Sequence, residues 1–182
     1  MSRFDRIAMA LEQPGQSSQL YAVLDGARDE RIRSLIAAST LVHASLYAGE
    51  QPMGLLSVSP FLVRLDRANP DAASLWEHAW GKGWGIFLEA PGPLEQVRRQ
   101  LRKFLRVEDP HGRLMYFRYY DPRVLKAFLS ACTEDERQEF HGPIRSFLVE
   151  SEPPLTAYHL YSKDGPARGE AVLLEEERGT GQ

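Results

Sequence analysis

The chain belongs to the α/β class by its pattern: a mixed sheet with flanking helices, followed by a small helical or irregular C-terminal lobe. Three observations predict this. Short apolar runs bounded by turn residues alternate with amphipathic segments as far as Phe140. Helix-start signals recur between them, at Asn69-Pro70, Asp121-Pro122 and Thr133-x-x-Glu136. Beyond Gly142-Pro143 the pattern weakens, and glycine, proline and glutamate dominate from Lys163 onward.

Residues 3–12 predict a short helix with Phe4, Ile7, Ala8 and Leu11 on one stripe, and 14–18 a loop. Leu20 to Leu24 is a compact apolar run stopped by Asp25-Gly26, the signature of a buried strand and a turn. Residues 28–38 follow as a helix with Ile32, Leu35 and Ile36 inward. Leu41 to Tyr47 is a second apolar run, closed by Gly49, and Pro60 to Asp66 is a strand. The helix after Asn69 carries Ala72, Leu75, Trp76, Ala79 and Trp80 on one face and ends at Gly81-Lys82-Gly83. Trp84 to Leu88 is a strand. A helix over 93–106 has an apolar stripe (Leu94, Val97, Leu101, Phe104, Leu105) and a basic face (Arg98, Arg99, Arg102, Arg106).

Leu114 to Tyr120 predicts the last strand of this part. Period-2 alternation puts Met115, Phe117 and Tyr119 toward the core, and Leu114, Tyr116, Arg118 and Tyr120 on a half-exposed face. Asp121-Pro122-Arg123 opens a helix carrying Val124, Leu125, Phe128 and Leu129, and Thr133 caps another to about Phe140. Ile144 to Val149 and Thr156 to Tyr161 are candidate strands. The expected organisation is a helix and linker (1–18), an α/β lobe (19–131), a small C-terminal lobe (132–162) and a flexible tail (163–182).

Composition narrows the function classes. A hydrophobic fraction of 43% and a charged fraction of 26% are ordinary for a globular protein. Net charge is −3, which gives no general drive toward nucleic acid or acidic membranes. Cys132 is the one cysteine, so neither an intramolecular disulfide nor a cysteine-rich zinc site can form. The charged first residues do not resemble a secretory leader, and no apolar window has membrane-spanning length. The expected location is the cytoplasm.

Three aspartates end predicted strands: Asp25, Asp66 and Asp121. Carboxylates beyond strand ends can hold Mg²⁺ or act as acid and base. Aspartate at such a junction also caps the next helix or shapes a turn. The five histidines show no zinc-like spacing, and Cys132 lacks a nucleophile's sequence context. No cofactor fingerprint is present. The basic face with Arg98 and Arg102 admits three readings: a solvated face, phosphate contacts, or a dock for an acidic partner. Arg118, set among aromatics, is either a recognition residue or half of a structural ion pair.

The segments L-Y-A-V-L-D-G-A (20–27), S-P-F-L-V-R-L (59–65), W-G-I-F-L (84–88) and G-R-L-M-Y-F-R-Y-Y-D-P-R-V-L (112–125), with G-P-I at 142–144, resemble a bacterial domain of unknown function. Its members are encoded beside VgrG spike genes of type VI secretion systems. Gln100 stands where the family often has histidine, and Ser59 where glycine is usual. The resemblance implies a non-enzymatic adaptor or chaperone that holds an effector protein and loads it onto VgrG, with no nucleic acid, membrane or cofactor. It carries over no catalytic residue. Tyr116, Arg118, Tyr120, Arg98 and Arg102 are then the candidate partner contacts, and Asp25, Gly26, Asp121, Pro122 and Arg123 the structural motif. The rival expectations are a metal-dependent hydrolase using the three aspartates and a nucleic-acid-binding module.

Overall fold

The computed structural model describes residues 2–11, 18–47, 58–109, 111–151, 157–166 and 169–173. The predicted loop at 14–18, apart from Ser18, and the Gly49 break lie outside the described residues.

In chain order the elements are α1 (Arg3–Leu11), β1 (Gln19–Asp25), α2 (Glu30–Ala38), β2 (His43–Ser45), β3 (Pro60–Leu65), α3 (Pro70–Ala79), β4 (Gly85–Ala90) and α4 (Leu94–Arg102). They continue with β5 (Arg106–Glu108), β6 (Leu114–Tyr116), α5 (Pro122–Ala131), α6 (Glu134–His141), β7 (Ser146–Glu150), β8 (Ala157–Ser162) and β9 (Glu170–Leu173). Seven strands form one sheet in the order β2-β3-β1-β4-β7-β8-β9, while β5 and β6 form a separate two-stranded ribbon.

The α/β class with flanking helices is as expected. Every strand pair is antiparallel, so the sheet is not mixed. The C-terminal segment is also not a helical or irregular lobe. β7 hydrogen-bonds to β4 on one side and β8 on the other, so it lies inside the sheet. Part of the expected tail, Glu170–Leu173, pairs with β8.

The sheet is covered on both faces, which explains why β1 is an unbroken apolar run. Leu20, Ala22 and Leu24 face a core built with Phe4 and Ile7 of α1, Ile32 and Ile36 of α2, and Trp76 of α3. Tyr21 and Val23 face a second core with Val97 and Leu101 of α4, Leu125 and Leu129 of α5, and Phe140 of α6. α1 is therefore part of the first core, and its Phe4 ring lies 5.7 Å from Trp76.

Local signals in the sequence set the helix starts. Asn69 accepts from the Asp71 N–H, Asp121 from the Arg123 N–H, and Thr133 with Glu136 forms a reciprocal capping box. In the second core Phe140 is the hub, its ring 5.0 Å from each of Phe104, Phe128 and Phe147. Edge-on geometry at the first two adds to area burial.

Two close approaches set the frame. A Cβ on Gly85 would lie 2.0 Å from the Val23 carbonyl oxygen of the neighbouring strand. Gly142 ends α6 at φ +51°, and a Cβ there would meet the Gln100 side chain at 2.4 Å. That side chain is buried, and its amide donates to the carbonyls of Glu139 (2.7 Å) and Phe140 (3.1 Å). Gln100 thus satisfies carbonyls in the last turn of α6.

Candidate partner-binding surface

The signature segments at 20–27 and 112–125 meet at the C-terminal end of β1. Asp25 is buried, and both of its oxygens are engaged. Oδ1 accepts from the Ala27 N–H at 3.1 Å, which shapes the turn through Gly26, and Oδ2 accepts from Arg118 at 2.5 Å. The Gly26 N–H donates to the Ser59 carbonyl. Asp121 caps α5, pairs with Arg123 at 2.6 Å, and lies 3.8 Å from Arg28. The Arg123 hydrogen bond leads in holding the Asp121 carboxyl below its ordinary range. Pro122 occupies the first turn of α5, where no N–H is needed. Arg118 is therefore half of an ion pair, its side chain 51% exposed beside a buried carboxylate.

The predicted alternation over Leu114 to Tyr120 fails at both ends: Leu114, Met115 and Tyr116 are all exposed, and the strand stops at Tyr116. Arg118 to Asp121 forms a turn, with the Asp121 N–H donating to the Arg118 carbonyl at 3.0 Å. A turn has no period of two, so adjacent Tyr119 and Tyr120 are both buried. Tyr120 is not on an open face: burial pushes its phenol up, and its hydroxyl partner is Tyr47. The Tyr119 hydroxyl donates to the Leu101 carbonyl at 2.9 Å, tying the end of α4. Met115, expected in the core, is 48% exposed.

Two further expectations change on the basic face. α4 ends at Arg102, and Arg106 begins β5 instead of continuing the helix. Arg98 is a clamp: its Nε donates to the Ser45 carbonyl at 2.8 Å and its guanidinium also reaches Tyr47 and Glu95. Arg99 and Arg102 are exposed and make no ion pair among the described residues.

What remains open is the β5–β6 ribbon. Leu114, Met115 and Tyr116 are 61%, 48% and 63% exposed. The Tyr116 ring lies 5.7 Å from the Arg106 guanidinium and 6.4 Å from Tyr47. Sequence reasoning placed Tyr116 on an open face correctly. It missed Met115, because alternation assumes a sheet with one face on the core, and the separate two-stranded ribbon leaves both faces of β6 exposed.

The three aspartates do not share a cavity. Asp25 opposes Pro60 and Leu20 opposes Leu65, so Asp66 sits at the other end of β3. Six strand residues separate the two ends, roughly 20 Å, far beyond common coordination of one ion. No group of three His, Cys, Asp or Glu side chains is arranged to hold a metal among the described residues. Nor, among them, is any helix long and apolar enough to cross a membrane.

Comparison with curated proteins and with solved structures finds no match. A family profile matches residues 20–139, running from the start of β1 nearly to the end of α6. Both halves of the Asp25–Arg118 pair and the whole β5–β6 ribbon lie inside that span. The chain therefore belongs to the family described as domain of unknown function DUF4123.

Proposed function

We propose that this protein is a non-enzymatic adaptor that binds a type VI secretion effector in the cytoplasm and loads it onto the VgrG spike. The family is a type VI secretion effector-associated domain. The observation that carries the reading is the run of three exposed apolar residues, Leu114, Met115 and Tyr116, on a ribbon that no further strand covers among the described residues. Exposed contiguous apolar surface of this kind marks interaction sites. Tyr and Arg are favoured in binding hot spots, and Tyr116 with Arg106 supplies both. Tyr116 and Arg102 remain contact residues. Arg118, held by Asp25, acts through the frame, as do Arg98 and Tyr120.

Binding without chemistry agrees with the way the aspartates are used, as caps and ion-pair partners. The test is co-expression with the products of the neighbouring genes and with VgrG, followed by affinity capture and size-exclusion chromatography. The expected result is a stable complex with the effector and a ternary complex with VgrG. Failure to bind either protein would sink the adaptor reading.

A further inference from the structure

The ribbon has a direction and an open edge. Asp109 donates its N–H to Arg113 at 2.9 Å, and Phe117 donates to Leu105 at 3.0 Å. Hydrogen-bonded pairs alternate along an antiparallel ladder, so Met115 bonds inward to Val107. Leu114 and Tyr116 therefore turn their N–H and C=O groups away from β5. No further strand pairs with that edge among the described residues. Proteins normally blunt such an edge with charge, proline or a covering element. Here the edge residues are leucine and tyrosine.

The charge around it is polarised, cationic at the Tyr116 end and acidic at the Leu114 end, where Glu108 stands across from Leu114. Residues 98–106 hold Arg98, Arg99, Arg102, Lys103 and Arg106 and no acid, in a chain of net charge −3. Arg106 leads directly into the ribbon and stands across from Tyr116.

The geometry points to the outer edge of β6 as the dock for an extended, acidic segment of the effector, which adds to the ribbon as a third strand. This rests on the adaptor reading and deepens it. Main-chain bonds to Leu114 and Tyr116 supply affinity, and alternate apolar side chains of the segment cover the Leu114/Tyr116 face. Acidic residues flanking the segment meet Arg102 and Arg106. A second copy of this chain fits less well: a two-fold pairing of β6 with itself about Met115 sets each Arg106 end beside the copy's Leu114–Glu108 end, which offers Glu108 alone to the run of cations. Phosphate contacts alone leave the apolar edge uncovered.

Leu114→Pro tests the edge. It removes one outward N–H and leaves the ladder to β5 intact, and proline is tolerated at an edge where the N–H faces solvent. The probe is the purified effector encoded beside the gene, measured by calorimetry, with circular dichroism as the fold control. The expected result is at least tenfold weaker binding for Leu114→Pro at an unchanged fold. Hydrogen exchange of the complex is expected to protect the Leu114 and Tyr116 amides. Arg102→Glu with Arg106→Glu slows association about tenfold at low salt, and the difference closes at high salt. Wild-type affinity in Leu114→Pro, together with unprotected edge amides, overturns the inference and leaves the adaptor reading standing. A wild-type chain that binds no effector overturns both. A concentration-dependent dimer abolished by Leu114→Pro assigns the edge to a second copy and also overturns it.

Discussion

Replacing Glu150 by glutamine should make the protein more stable, and only at neutral and alkaline pH. Glu150 ends β7, and burial pushes its carboxyl up to about 7 from 4.5. Its Oε2 accepts from the Gly83 N–H at 3.3 Å, which opposes the rise, but Oε1 has no partner among the described residues. A raised carboxylate pKa means the native state holds a proton that the unfolded chain has released. Stability contributed by the neutral form is then present below about pH 4.5 and lost as pH rises through about 7. The interval corresponds to ~3 kcal/mol. His141 acts in the opposite sense. Its ring is fully buried, burial lowers it to about 4 from 6.5, and Nδ1 sits 3.1 Å from the Ile144 carbonyl. Its contribution is present above pH 6.5 and lost as pH falls through about 4, again ~3 kcal/mol. Between pH 4.5 and 6.5 the two slopes nearly cancel in the wild type. Urea denaturation of wild type, Glu150→Gln and His141→Asn at half-unit steps from pH 4 to 8 separates them. The advantage of Glu150→Gln over wild type should grow by up to ~3 kcal/mol between pH 4.5 and 8. The advantage of His141→Asn should instead grow as pH falls below 6.5. Differences that stay constant with pH would refute the assignment of either group.

Three other outcomes follow from the frame. Gly142→Ala places a methyl group at φ +51° against the Gln100 amide and should cost ~1–3 kcal/mol. Adding Gln100→Ala relieves the overlap, so a double-mutant cycle in urea should show non-additivity of at least ~0.5 kcal/mol. Gly85→Ala drives a Cβ into the β1 backbone and should leave little folded protein by circular dichroism; a native-like spectrum and thermal midpoint would contradict the strand spacing. Arg118→Ala leaves the buried Asp25 carboxylate with the Ala27 N–H alone, and should cost ~1–2 kcal/mol because the guanidinium side is half open to water. Asp25→Asn in the same chain should recover part of that loss, as chemical denaturation would show.

The frame was legible wherever a local rule decides the outcome. Asn69-Pro70, Asp121-Pro122 and Thr133-x-x-Glu136 each cap the helix they were expected to cap, because capping depends on residues within one turn. The β1 run was legible as buried for the same kind of reason. What local pattern cannot supply is long-range pairing. Strand direction depends on which partners meet, so an antiparallel sheet with β7 placed beside β4 could not be read from the periodicity of either strand. The candidate surface shows the same divide. Tyr116 was placed on an open face correctly, while Tyr120 was misplaced by a turn whose one hydrogen bond, Asp121 to Arg118, interrupts the alternation. Gln100 looked like another polar position on a basic helix. Its role emerges only when α6 brings two carbonyls against it, across about forty residues.

The F-R-Y-Y-D-P-R segment and the L-D-G turn together form a bonded frame, set apart from the exposed ribbon just upstream. Nearly every polar group in them already has an internal partner. Arg118 has Asp25, Asp121 has Arg123 and the cap of α5, Tyr119 has Leu101, and Tyr120 has Tyr47. Groups committed in this way hold the end of β1, the start of α5 and the end of α4 in register. They do not supply a specificity code for a partner. The residues just upstream, Leu114 to Tyr116, have the opposite character: exposed side chains and, at Leu114 and Tyr116, an open main-chain edge. Substitutions in the first set should therefore lower stability, and under the proposed function weaken effector binding only through it, so that conditions restoring the fold restore the binding. Substitutions at Leu114 or Tyr116 should change affinity at constant stability. A variant of Tyr116 that lost stability and affinity in parallel would show that the ribbon belongs to the frame and that the binding surface lies elsewhere.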